Sequence, residues 1–209
     1  MQTDPTPSPA EDFGAGNQAN ASAAGVAPAR PNGANGRAAE SGNASAPKGP
    51  RRADAPFMLT HPLHIISLGF GSGLSRLAPG TAGTLFAWAA FEVLNRYFTV
   101  IDWSVLIVVG FFAGIGITGF TAKKLRTEDP SAIVWDEIVA FWLVLLMVTP
   151  VDFAGRVWAF VVFRFFDMVK PPPIRYFDRR FKGGLGIMLD DLVAAFFTLL
   201  VIALWRMSV

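Results

Sequence analysis

An all-α membrane bundle of about five hydrophobic helices behind a disordered N-terminal tail is the fold class this sequence predicts, and three observations predict it. The chain has 209 residues, of which 52% are hydrophobic and only 16% charged, a balance unlike that of an ordinary soluble domain. The apolar content is unevenly spread, because residues 1–56 hold 15 Ala, 8 Pro, 7 Gly, 5 Asn and 4 Ser. Finally, from Trp103 to Thr121 the chain carries no charged residue, close to the roughly 20 residues a helix needs to cross hydrocarbon.

The elements follow in order. Residues 1–56 alternate small, polar and Pro residues with almost nothing to bury, and read as a disordered tail, with residues 57–209 as the helical domain. Its start, Met1-Gln2-Thr3-Asp4-Pro5, lacks the basic and apolar regions of a secretory signal, so the N-terminus is expected in the cytoplasm. Five apolar stretches then lie at 82–99, 103–122, 138–151, 153–166 and 188–205. The third is short and the fourth carries Arg156 and Arg164. Each alone would pass for a buried helix of a soluble protein, and beside the uncharged second stretch they are most economically neighbours in one bilayer bundle.

Orientation comes from the basic residues of the connections. Lys123, Lys124 and Arg126 follow the second stretch, and Lys170, Arg175, Arg179, Arg180 and Lys182 follow the fourth, whereas the other side has only Arg96, Arg156 and Arg206. Basic loops inside place both connections and the N-terminus in the cytoplasm, with the C-terminus outside.

With charge so scarce, the remaining charges become legible. Asp136 and Glu137 open the third stretch, Asp167 closes the fourth, and Asp190 and Asp191 open the fifth. A charge at the bilayer centre costs about 3 kcal/mol on insertion scales, so such acids have partners. In the topology above all five gather at cytoplasmic helix ends, the oxygen-rich arrangement a hard divalent cation such as Mg²⁺ takes. The bland alternative is acids favoured by helix N-terminal dipoles, which suits the two pairs and not Asp167.

Two further constellations point to phosphate. The run Gly69-Phe70-Gly71-Ser72-Gly73 followed by Pro79-Gly80-Thr81-Ala82-Gly83-Thr84 lets backbone amides approach an anion, with Thr81 or Thr84 capping the helix that starts there. It is neither a Walker A loop nor a dinucleotide fingerprint, and close packing of small residues accounts for it equally. In Arg164-Phe165-Phe166-Asp167-Met168-Val169-Lys170-Pro171, Arg164 and Asp167 share a helix face and Lys170 follows one turn on. That face suits a metal-bound phosphate ester, with Asp on the metal and Arg and Lys on the oxygens; a plain Arg–Asp ion pair is the alternative.

Taken together, Gly69 to Thr84, Asp129 to Glu137 through Trp135-Asp136-Glu137, and Phe163 to Ile174 continuing to Gly183-Gly184-Leu185-Gly186-Ile187-Met188-Leu189-Asp190-Asp191 closely resemble the phosphatidylglycerophosphatase A family over residues 60–205. One departure is Arg76, where the family often has proline. The resemblance implies a Mg²⁺-dependent bacterial inner-membrane enzyme that removes the terminal phosphate of phosphatidylglycerophosphate to leave phosphatidylglycerol. Asp136, Glu137, Asp167, Asp190 and Asp191 match the family's acidic positions, with Arg164 and Lys170 beside Asp167; metal ligands are expected among those five acids, catalytic roles at Glu137, Asp167, Asp190, Arg164 and Lys170, and, from the glycine run, substrate contacts at Gly71, Ser72, Gly73, Gly80 and Thr81.

Composition constrains the chemistry further. No cysteine is present, which excludes a disulfide framework, a thiolate metal site and a phosphocysteine intermediate. His61 and His64 are the sole histidines and belong to no histidine-bearing lipid phosphatase motif. No Asp-x-Asp pair supplies an aspartyl nucleophile and acid, so metal-assisted attack by water is expected, with Glu137 or Asp190 as general base and a covalent aspartyl phosphate still open. The competing class is a small membrane transport or lipid-binding protein using the same charges as an ion or headgroup site. A net charge of +2 and scattered basic residues give no case for nucleic acid.

Overall fold

The computed structural model describes residues 49–127, 130–169 and 183–208. The disordered-tail expectation for residues 1–48 and the whole 170–182 connection, with Lys170, lie outside them. Among the described residues every regular element is helical: α1 (Ala55–Met58), α2 (Pro62–Ser67), a 3₁₀ turn (Gly69–Leu74), α3 (Pro79–Leu94), α4 (Val100–Leu125), α5 (Trp135–Val148), α6 (Phe153–Val169) and α7 (Gly184–Ser208).

Five long helices therefore stand where five apolar stretches were expected, but their lengths differ in kind. At 26 and 25 residues, α4 and α7 are long and apolar enough to cross a membrane, whereas α5, with 14 residues, reaches only about 21 Å at 1.5 Å per residue. The short third stretch is the middle of the protein: α5 packs against α3, α4, α6 and α7, and its residues from Ile138 to Trp142 are all buried. A helix apolar all round is a core helix.

The α4 helix shows how sequence sorts its faces. Val105, Val108, Val109 and Phe112 form one outward stripe, each more than half exposed. On the inward face, Gly110, Gly114, Thr118 and Thr121 are buried, small residues that let neighbouring helices approach closely. Gly110 leaves its carbonyl open to Trp135 Nε1, which donates to it at 3.0 Å, and a Cβ on Gly114 would sit 2.6 Å from Met188 Sδ. Thr99 and Asp102 begin the helix with a reciprocal capping box. Outward apolar stripes recur on α6 at Val157, Val161, Phe165 and Met168 and on α7 at Phe196, Leu200 and Leu204.

The long helices run alternately up and down. At one end, Arg156 of α6 pairs with Glu92 of α3, Trp103 of α4 donates to Asn95 just past α3, and Arg206 of α7 donates to Val148 O at the end of α5 at 3.0 Å. The opposite end thus collects the starts of α3, α5 and α7 and the ends of α4 and α6.

The chain before residue 57 enters the fold earlier than its composition indicates. Asp54 caps α1, and Arg51 N donates to Leu125 O at the end of α4 at 2.9 Å. Backbone ties of this sort leave no trace in hydropathy.

Candidate active site

Charged side chains meet at the end of the bundle just described. Asp136 and Glu137 occupy the first turn of α5, held in place by the Trp135 bond to α4 and by Val134 N donating to Ser67 O at 3.0 Å. Asp167 lies two residues before the end of α6. Asp191 comes from α7, whose first turn contains no acid. It is the eighth residue of that helix, about 10 Å along its axis. The expectation that Asp190 and Asp191 open the last helix is therefore corrected: hydropathy begins at the first apolar run, whereas α7 begins at Gly184, packed on α4 near Ile115 and Gly119. Two turns into a helix the N-terminal dipole has faded, so the dipole account remains for Asp136 and Glu137 alone.

Asp136, Glu137 and Asp191 each offer a carboxylate oxygen within 4.8 Å of the others. Asp167 belongs to the same cluster, close enough to Asp191 and Glu137 to interact with both. Asp190 is buried at 6% exposure, but one residue along a helix turns a side chain by about 100°, and it is not in the converging triad.

Arg164 is the cation that ties these acids together. Its Nη1 donates to Asp167 Oδ2 in a short charge-assisted bond, lies 3.7 Å from Glu137 Oε1 and reaches Thr84 Oγ1 at 3.5 Å. Sequence reasoning missed Thr84 in this position; its place four residues after Gly80, on one face of α3, was the available signal. Among the described residues one guanidinium faces these four clustered carboxylates. Glu137 Oε2, Asp191 Oδ2 and Arg164 Nε are buried without a hydrogen-bond partner among the described residues, and such groups cost free energy unless something binds them.

The start of α3 closes the site. A Cβ at Gly80 would fall 2.1 Å from Glu137 Oε1 and 2.9 Å from an Arg164 nitrogen, so only glycine lets the helix terminus come this near. The cap position is Ala78, with no side-chain cap. Thr84 donates to Gly80 O at 2.8 Å and so is not the cap, and the first amides of this 16-residue helix have no capping side chain. Thr81 is half-buried in the first turn.

The preceding glycines are used differently. Gly71 takes φ +100°, a left-handed turn conformation that favours glycine. Ser72 Oγ donates to Gly69 O at 2.8 Å, and Gly73 lies against the backbone of Ala132. Gly73 thus packs the turn on the chain entering α5, Gly71 faces Met58 and Ser72 braces the turn itself, while Gly80 touches the charged cluster.

The histidines stand apart from the acids. His64 is stacked on Phe57, with ring centroids 4.3 Å apart, and its Nδ1 shares a hydrogen bond of 3.0 Å with Thr121 Oγ1. Burial holds its pKa below the ordinary imidazole value, with His61, Lys124 and Arg51 pushing the same way.

The donor set of Asp136, Glu137 and Asp191 is all carboxylate oxygen, without imidazole or thiolate. With two orphaned buried oxygens at its rim it fits a hard divalent cation better than zinc or copper.

Comparison with known proteins identifies the family. The family described as Phosphatidylglycerophosphatase A matches residues 65–206. A protein of that name from Escherichia coli K12 is 39% identical over 142 residues, covering 68% of this chain and 82% of its own. Its namesake from Haemophilus influenzae is 37% identical over 144 residues, covering 69% and 88%. A Bacteroides thetaiotaomicron protein provisionally named phosphatidylinositol-3-phosphatase is 42% identical over 150 residues, covering 68% and 92%. No solved structure matches. The match spans every long helix that contributes a charge to the cluster, and the chain belongs to the phosphatidylglycerophosphatase A family.

Proposed function

We propose that this protein hydrolyses the terminal phosphomonoester of phosphatidylglycerophosphate, leaving phosphatidylglycerol, at a Mg²⁺ site on the cytoplasmic side of the bacterial inner membrane. The observation that carries this reading is the convergence of Asp136, Glu137 and Asp191 beside Arg164 and an uncapped helix N-terminus, an array that offers one place for a cation and one for a phosphate.

Asp136, Glu137 and Asp191 would hold the ion. When bound, Mg²⁺ offsets charge on the phosphoryl oxygens and makes water a better nucleophile. Arg164, with Nε still without a partner among the described residues, meets phosphoryl oxygens as their charge grows, and Asp167 fixes its orientation through the short bond between them. The amides at Gly80 and Thr81 add donors from the positive end of α3. Glu137 would help hold the ion and is placed to take the proton of the attacking water. Lys170, which lies outside the described residues, is the second cation proposed to offset charge on the transferring group.

The apolar stripes on α4, α6 and α7 face lipid in this reading, and the shorter α3, α5 and α6 complete the multi-pass bundle around the two long spans. The substrate's acyl chains stay in the leaflet while its headgroup reaches the helix ends. Lys123 and Lys124 in the last turn of α4 lie at that same end and set it toward the cytoplasm. Because the chain lacks cysteine, single cysteines at Arg126 and Arg96 report sidedness: an impermeant thiol reagent added to intact cells labels position 96 and spares 126.

The test of activity is phosphate release by purified protein in detergent from phosphatidylglycerophosphate, phosphatidylinositol 3-phosphate and phosphatidic acid. Preference for the first with full chelator sensitivity is expected. Preference for the inositol lipid moves this chain toward its Bacteroides relative, and release unaffected by chelator removes the metal from the account.

A further inference from the structure

A second cavity at this end of the bundle is basic where the candidate active site is acidic. It encloses about 540 Å³ and is lined by Arg51, Arg52, Arg76, Ser75, Thr127 and Ser131 among others, a volume in the range of small-molecule sites, roughly 300–1,000 Å³. The three guanidiniums come from two segments, the strand of chain before α1 and the stretch between the 3₁₀ turn and α3. Arg51 is the fixed one, tied through its backbone N to Leu125 O at 2.9 Å and stacked over the Phe57 ring at 5.1 Å. Arg52 and Arg76 are exposed and make no ion pair among the described residues.

We propose that this cavity binds the phosphate group of an anionic phospholipid, with Arg52 and Arg76 as the donors and Arg51 holding the wall that carries Arg52. Arginine pairs reach phosphate oxygens with two parallel donors each, and the hydroxyls of Ser75, Thr127 and Ser131 add neutral ones. The choice of lipid over free phosphate rests on the lip of the cavity. Leu77, which follows the lining residue Arg76, is 98% exposed, an apolar side chain beside a cationic pocket, as a headgroup with acyl chains requires.

This site is separate from the phosphatase reading and does not depend on it. Arg51 and Arg52 precede residue 65, where the family match begins. The cavity lining includes Pro79, next to Gly80, and Gly73 of the preceding glycine run.

The experiment measures binding of the full-length protein in detergent, with chelator present so that the acidic cluster is not engaged through metal. The probes are fluorescent short-chain phosphatidylglycerol, the matching phosphatidylcholine and inorganic phosphate. Phosphatidylglycerol is expected to bind more tightly than phosphatidylcholine, and Arg76→Gln and Arg52→Gln each to weaken it about tenfold, as for loss of one charge-assisted hydrogen bond. Arg76→Lys recovers part of the loss, and Asp191→Asn leaves binding unchanged even though it ends catalysis. Equal affinity in the arginine variants overturns the proposal, since both side chains are exposed and their loss leaves the fold intact. Displacement of the lipid by equimolar inorganic phosphate assigns the pocket to free phosphate and overturns the lipid assignment. Binding that appears only after Glu128→Gln and Asp129→Asn means that the arginines serve the chain's own acids, and it overturns the proposal too.

Discussion

The two acidic pairs, Asp136-Glu137 and Asp190-Asp191, look alike in sequence and occupy opposite situations in the fold. The first sits in the opening turn of a short core helix, where the dipole favours negative charge and both members reach the cluster. The second sits two turns inside a 25-residue helix that is a candidate membrane span, where the helix dipole no longer favours charge, and of its two members Asp191 is the one in the converging triad. A pair at a helix start can be retained for the helix alone. A buried carboxylate in mid-helix needs a ligand, and Asp191 is therefore the residue most dependent on what the site binds.

The sharpest way to break this comparison is Asp191→Asn. Activity is expected to fall about 10³-fold or more, the scale of a lost metal interaction. The metal-free protein should meanwhile melt a few degrees higher, because a buried like charge has been removed. A lower melting point in that variant would mean the carboxylate stabilises the fold. Gly80→Ala comes next: its methyl would contact Glu137 Oε1 and the Arg164 guanidinium, and about 10²-fold loss of activity is expected, with roughly 1–3 kcal/mol of overpacking in denaturant titrations. Asp190→Asn separates the two members of the mid-helix pair and should cost less than about tenfold in kcat.

The smallest effect belongs to His64, which serves packing only. Its pKa is lowered in the folded state, so the unfolded chain binds the extra proton first. Stability is full above the unfolded value of about 6.5 and declines as pH falls below it. His64→Gln should remove that decline in thermal melts at stepped pH and leave phosphate release per folded molecule unchanged.

Much of this was legible in the chain, and the reasons for the rest are physical. Scarcity of charge made the acids and Arg164 stand out, and alternation of helix direction put them at one end before any coordinates. Hydropathy located five helices but misjudged their starts, because charged and glycine residues that belong to α5 and α7 do not count as apolar. It also could not distinguish a helix surrounded by protein from one with an outward apolar face, which is why the sequence left open whether the short third stretch spans. The separate fates of Gly73 and Gly80 depend on close approaches between distant segments, at Ala132 and at Glu137, to which local sequence has no access. Thr84 and the Trp135 anchor were hidden for the same reason.

The central claim is that Asp191, far inside its helix, is there to complete a metal site for phosphate removal. Titrating Mg²⁺ into purified, metal-free wild-type and Asp191→Asn protein, while following inorganic phosphate released from phosphatidylglycerophosphate, tests it most directly. The account predicts saturable, chelator-reversible release by the wild type and none above background by Asp191→Asn at any Mg²⁺ concentration. Metal-dependent release by the variant with the same half-saturating concentration as the wild type would contradict it.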